Sequence, residues 1–322
     1  MSITITGGIS FSGGVGIVAP PPADNTAGWF GGGSSAPRTV QRIIFATDTA
    51  TATVRGGLAE DKYSAAATGN FNDGWFGGGM PGYSSSVNRI TYATDTATAS
   101  IRGALTSGRS QLAATGTTTY GWFAGGLNGS ALDTIDRITF ATDTATASAR
   151  GPLSGAKRAL AATSDGTTYG WFISGTALIS GTVGTTTVQR ITYATDTATA
   201  TVRGPLSNSG GGSYFEAATG NTDYGWVLGG YDLSNNITSR VQRITYATDT
   251  ATASTRGSLL VDVICSAAVT SSTYGWNGGG LAGGAPSTTV NRITYATDTA
   301  TASDRGPLAA ANRYLAASSG VQ

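Results

Sequence analysis

Two arginines stand thirteen residues apart in this chain, and the pair recurs six times with that spacing unchanged. The first members are Arg42, Arg89, Arg137, Arg190, Arg243 and Arg292; the second are Arg55, Arg102, Arg150, Arg203, Arg256 and Arg305. Each pair lies in a run typified by VQRITYATDTATASTRG, Val241 to Gly257. A Gly-Trp step precedes every run, at Trp29, Trp75, Trp122, Trp171, Trp226 and Trp276. These are all the tryptophans, spaced 46, 47, 49, 55 and 50 residues apart. A unit of this length in six copies restricts the fold to architectures that stack or circle equivalent parts.

A third piece, close to LAATG, completes the unit; Leu112–Gly116 is one copy and Leu315–Ser319 ends the series. Each unit reads as four short strands: LAAT, YGWFxGG, VxRITYAT and TATASxRG. In the third, Ile244 and Tyr246 fall on one side and Arg243 and Thr245 on the other, the alternation of a strand. Thr, Val, Ile, Tyr and Trp favour strands. The Ala-Thr-Asp-Thr-Ala link carries Asp48, Asp95, Asp143, Asp196, Asp249 or Asp298 and reads as a tight turn whose Asp bonds local backbone. Four strands per unit and a period near 50 predict a six-bladed β-propeller, an all-β fold. Only 11% of residues are charged and 48 are glycine. Blades stacked face to face explain this, because both faces of most strands are buried and small residues let sheets approach.

The chain is permuted relative to its unit. The Gly28-Trp29 strand has no LAAT strand before it, and Arg313-Tyr314-Leu315-Ala316-Ala317 has no Gly-Trp after it. The expectation is a propeller over 28–322 whose C-terminal strand joins the first blade and closes the ring. Residues 1–27 are not a blade. Ile3, Ile5, Ile9, Phe11, Val15 and Ile17 alternate with small residues, and Pro20-Pro21-Pro22 follows as a stiff linker. This pattern is expected to act as an anchor arm, completing a partner's sheet or joining copies of the chain.

The unit resembles the kelch repeat. Trp226-Val227-Leu228-Gly229-Gly230 fits that family's double-glycine strand, and Tyr246 with Asp249 loosely fits its aromatic-Asp pair. The tryptophan departs from the pattern: it stands beside the double glycine rather than on the fourth strand. The wording RITYATDTATASxRGPLS…YGWFGGG also resembles repeats in virion structural proteins of tailed phages, especially those of marine cyanobacteria. These resemblances imply a virion location and contacts with other virion proteins.

Composition narrows the chemistry. No histidine is present, so no imidazole can serve as a general base, and the histidine-ligated copper of kelch-type oxidases has no counterpart. The single cysteine, Cys265, permits no intrachain disulfide and reads as a core filler. A net charge of +1 argues against nucleic acid, and no apolar run is long enough to cross a membrane as a helix. The N-terminus lacks the basic start of a secretory signal. The two glutamates, Glu60 and Glu216, are not expected to converge as a glycosidase pair. No cofactor is expected.

The repeated Arg and Asp residues are expected to lock each hairpin, and the repeated tryptophans to fill the core. Length varies mainly after the double glycine, which places varied loops on one face of the ring and uniform Asp turns on the other. Binding is expected on the varied face. Candidate contacts there are Tyr83, Ser207, Asn208, Tyr231, Asp232, Asn235 and Asn236, with Phe71 as a further non-repeated aromatic. The expected role is a non-enzymatic virion structural or adhesion module presenting polar loops to a host-surface glycan or protein. A free glycan-binding lectin is the alternative.

Overall fold

The computed structural model describes residues 26–178, 184–207, 213–232 and 234–320. They form six four-stranded antiparallel sheets arranged as a propeller. The second blade shows the pattern. From the axis outward it runs Ala66–Gly69, Asp73–Gly77, Val87–Thr91 and Ser100–Arg102. The four predicted strands are thus the observed ones, in the predicted order. Short ribbons, Leu127–Asn128 with Ser130–Ala131 and Leu281–Ala282 with Ala285–Pro286, extend the loops after the double glycines of the third and sixth blades.

Closure comes from the chain's end. Ala316–Ser318 is the innermost strand of the first blade and pairs with Ala27–Gly31, placing Ser318 opposite Trp29. It also packs between the innermost strands of the second and sixth blades, Ala66–Gly69 and Ala267–Thr270. The arm residues Ile3, Ile5, Ile9, Phe11, Val15 and Ile17 lie outside the described residues, as does Asn208.

The blades are held together by one joint repeated six times. Trp29 of the first blade stacks on Tyr92 of the second with centroids 3.8 Å apart. Its indole Nε1 donates to Asp95 Oδ2 at 2.8 Å. Arg42 Nη1 donates to the same oxygen at 3.0 Å, and Arg55 Nε lies 3.4 Å from it. The series continues to the sixth blade, where Trp276, Arg292 and Arg305 converge on Asp48 of the first. The Arg–Asp lock expected within each hairpin therefore lies between blades: each Asp serves the preceding copy. The Asp link is also not a simple hairpin turn. It makes one 3-10 turn, such as Tyr92–Thr94, and ends on the Asp.

The Gly-Trp step is needed for this approach. A methyl group on Gly121 would lie 2.5 Å from Thr68 of the preceding blade and 3.1 Å from Phe140. Hydroxyl pairs tie the same surfaces: Tyr92 to Ser318 at 2.7 Å, Tyr193 to Thr115 at 3.0 Å, Tyr246 to Thr163 at 2.7 Å and Tyr295 to Thr219 at 2.8 Å. Where the first blade carries Phe45, the facing residue is Val269, and the two pack as apolar neighbours. At this joint both hydroxyls are absent, whereas Phe140 of the third blade faces Thr68, which keeps its own.

Candidate binding site on the axis

The joints use up most of the repeated chemistry. The six joint aspartates, Asp48, Asp95, Asp143, Asp196, Asp249 and Asp298, are 5–7% exposed, and each carries two arginines and an indole N–H. Trp75, Trp122, Trp171 and Trp226 repeat the arrangement with Arg89, Arg137, Arg190 and Arg243. Four of these arginines or their equivalents also cover a tyrosine ring, as Arg190 does over Tyr169 at 4.0 Å. Charge-assisted bonds of this type are strong, and here they are structural.

A different arrangement surrounds the axis where the innermost strands begin. Antiparallel alternation puts this end on the face of the variable loops. Each strand is entered through a residue of left-handed backbone: Ser64, Gln111, Ala159, Phe215, Cys265 and Tyr314, with φ between 52° and 59°. Such a conformation costs a non-glycine residue roughly 1 kcal/mol. A closed circle of backbone bonds offsets it. Ser64 N–H donates to Tyr314 O at 2.9 Å, Gln111 to Ser64 at 2.7 Å, and Ala159 to Gln111 at 2.8 Å. Phe215 then donates to Ala159 at 3.0 Å, Cys265 to Phe215 at 3.0 Å, and Tyr314 to Cys265 at 2.8 Å.

The circle frames a cup with about 70 Å³ open to water-sized atoms. The residues after the circle form its wall. In four copies they are Ala65, Leu112, Leu160 and Leu315; in the fifth and sixth they are Glu216 and Ser266. Glu216 has a partner exchanged with it. In the fourth blade the first residue of the double-glycine step is Ser174, which keeps the glycine-like φ of 57°. Its hydroxyl donates to Glu216 Oε2. Glu216 Oε1 has no hydrogen-bond partner, nor does Ser266 Oγ, although both side chains are more than nine-tenths buried. Burial pushes the Glu216 carboxyl up to about 7, while the hydroxyls of Ser174 and Ser213, its own backbone N–H and the charge of Arg240 pull the other way.

Aromatic and basic groups border the cup. Phe215 and Tyr314 meet edge to face at 5.8 Å. Tyr214 stacks on Tyr231 at 4.8 Å, and Arg158 Nη1 donates to Gln111 Oε1 at 2.7 Å. Burial raises the Tyr314 hydroxyl and the Cys265 thiol, each to about 12. Cys265 is buried, as the sequence reading of a core filler has it, but it stands in the circle just before its strand rather than within it.

Of the predicted contacts, Tyr231 and Asn235 reach the border of this site through Tyr214, one by stacking and the other by a hydrogen bond. Asp232 and Asn236 close a turn on themselves: Asp232 accepts the N–H groups of Ser234 and Asn236 and the Asn236 amide. Those bonds, the Asn236 backbone first, hold the Asp232 carboxyl below its usual range. Asn235 accepts the Tyr214 hydroxyl at 3.1 Å. Ser207 N–H donates to Gln242 Oε1 at 2.7 Å. Tyr83 is half-buried in the loop of the second blade, and Phe71 lies at the turn after an innermost strand, on the opposite face. Glu60 pairs with Lys62 at 3.1 Å, in the link before the second blade. Glu216, Ser266, Ser174, Phe215 and Tyr314 were not predicted as site residues. The signal that could find them is departure from the repeat: Glu and Ser where other copies carry Ala or Leu, and Ser where they carry Gly. No protein-family model matches the chain, and no curated protein does.

Proposed function

We propose that this chain is a non-catalytic binding module of a virus particle. On this reading it is a kelch-like ring, fixed through its N-terminal arm to other virion proteins, that presents its variable face to a host-surface glycan or protein. One observation carries the reading. The repeated charges are engaged between blades, whereas residues without counterparts in other copies gather around the axis on one face. A rigid ring with one uniform and one individual face is organised for recognition. The double-glycine strands support the kelch-like relationship, and the wording of the repeats supports the phage one. A second reading, a free glycan-binding lectin, is favoured by the aromatic rings bordering the cup.

The test is a pull-down of purified particle proteins with the full chain and with a chain lacking residues 1–22, beside mass spectrometry of intact particles. Presence in particles and arm-dependent capture are expected. Absence from particles, with glycan binding by the shortened ring, would replace the first reading with the second.

A further inference from the structure

One part of the ring is more uniform than its fold requires. The link between third and fourth strands reads Ala-Thr-Asp-Thr-Ala-Thr-Ala in all six copies, as at 93–99. Its Asp and its last Ala are buried, and the Asp makes the joint between blades. The other five residues are exposed in every copy. The fold uses their peptide groups: Ala97 N–H donates to Thr94 O at 3.0 Å, and Asp95 O accepts from Gly56 N–H of the preceding blade at 2.8 Å. Among the described residues, no side-chain hydrogen bond engages the three threonines of any copy. Exposed positions of this kind accept substitution with little effect on stability.

A common origin of the repeats does not account for the identity. Six residues past each Asp, on the fourth strand, the equivalent exposed position carries Val54, Ile101, Ala149, Val202, Thr255 or Asp304. The copies have diverged there and not in the links. Bulk water does not demand six identical surfaces. A partner that meets all six links with equivalent groups does.

The chain enters the ring on this same face. Link and inner turn abut in each blade: Tyr92 N–H donates to Asn72 O at 2.8 Å, and Tyr246 N–H to Asp223 O at 3.0 Å. In the first blade the acceptor is Thr26, the first described residue, which takes the Phe45 N–H at 2.9 Å. Residues 1–25 therefore join the ring at its uniform face, inside the circle of links.

Charge separates the candidate occupants. The exposed residues of the links carry none. The inner turns at 70–72, 117–119, 165–168, 221–223 and 271–273 hold Asp165 and Asp223 and no Lys or Arg. Two copies face to face would set acids against acids, which is costly. A partner with an uncharged rim and basic groups near its centre meets no such cost, and interfaces are depleted of charge at their core. Five exposed residues in each of six links reach the roughly 20–30 residues a side of a stable interface.

This inference rests on the virion reading and deepens it. We propose that the uniform face is the mounting face. Its six links seat coaxially on an assembly of virion protein with sixfold rotational symmetry, uncharged where it meets the links and basic toward the axis. The variable face is then turned outward.

The test compares two sets of lysine variants in the full chain. Thr96→Lys, Thr197→Lys and Thr299→Lys together charge three alternate links. Val54→Lys, Ile101→Lys and Val202→Lys together place the same charge on fourth strands, outside the links. Both sets replace exposed residues and are expected to melt close to the original chain. Immobilised chains capture proteins from purified, disassembled particles, and electron microscopy locates the ring on intact ones. The link variant should lose about tenfold or more in capture while the strand variant keeps it. The ring should stand end-on over a sixfold axis. Undiminished capture by the link variant, equal loss by both sets, or a ring attached by its rim overturns the proposal and leaves the virion reading standing. Absence of the chain from particles overturns both. Self-association of the free chain in sedimentation, abolished by the link lysines alone, gives the links to a second copy and overturns the proposal as well.

Discussion

Asp95 belongs to the second blade, yet its carboxylate accepts the indole proton of Trp29 in the first, at 2.8 Å. Every blade leans on its successor in this way, and the sixth leans on the first. The arginines that complete the joint are about one-fifth exposed, so the pair is neither a surface bridge nor a fully desolvated one. Removing the anion would leave two cations and an indole N–H facing a cavity.

Asp95→Ala is therefore expected to destabilise the ring by about 2–3 kcal/mol, the low end for breaking a buried pair because the arginines keep some water. Denaturant unfolding measures the loss. Tryptophan fluorescence of the folded variant should also shift, since one indole loses its acceptor. An unchanged midpoint would show that the aromatic stack alone carries the joint.

A chain lacking residues 312–322 loses the strand paired with Ala27–Gly31, the burial of Leu315, and the Asn312 amide that donates to Gly32 O at 2.7 Å. It also breaks the backbone circle at Tyr314. The combined loss is expected to exceed about 4 kcal/mol and to lower the melting temperature by roughly 10 °C. Calorimetry of the shortened chain would expose a mistaken closure by showing no change.

Phe45 and Val269 offer a double-mutant cycle. Phe45→Tyr brings a hydroxyl toward an apolar neighbour and should cost about 1–3 kcal/mol. Val269→Thr supplies the threonine partner found at three other joints, a fourth using Ser318. In combination the cost should shrink by about 1 kcal/mol or more, a coupling that independent sites do not show. Strict additivity would deny that the two residues compensate each other.

Glu216 links stability to pH. Its folded value is about 7 against an ordinary 4.5, and Arg240 is the charged group acting on it. Below the ordinary value both states hold the proton and the group is neutral in its effect. Between the two values the unfolded chain releases its proton while the folded chain keeps it, so stability falls as pH rises. The full difference is on the order of 3 kcal/mol above pH 7. Melting temperatures of the original chain and of S174G/E216L should diverge through that window, with the variant less sensitive. Parallel curves would place the carboxyl in a wetter setting than its burial beside Ser174 implies.

Much of the ring was legible because its constraints act on side chains. A Gly-Trp step, an Arg pair at constant spacing and an Asp in every link each need one residue type, so each leaves a mark. The permuted ends announced the shared blade in the same way. The pairing of Asp95 with Trp29 rather than Trp75 was not legible, because any repeat offset by one copy has the same sequence. The circle was hidden for another reason. Ser64, Gln111, Ala159, Phe215, Cys265 and Tyr314 have nothing in common except backbone conformation, and none is glycine. A structure made by peptide groups leaves the side chains free to differ. That freedom is what lets one side of the cup become polar.

The circle of peptide bonds also differs from the more familiar way in which a backbone presents charge. In a helix, aligned peptide dipoles accumulate partial charge at two ends, and anions collect at one of them. Here six peptides run head to tail around an axis and return to their start. Their components along the circle cancel, and there is no terminus at which charge can gather. The cup mouth is thus ringed by dipoles that cast little field across it. The electrostatic character of the cup is therefore set by the few side chains that break the symmetry, and a substitution among them can change it while leaving the frame untouched.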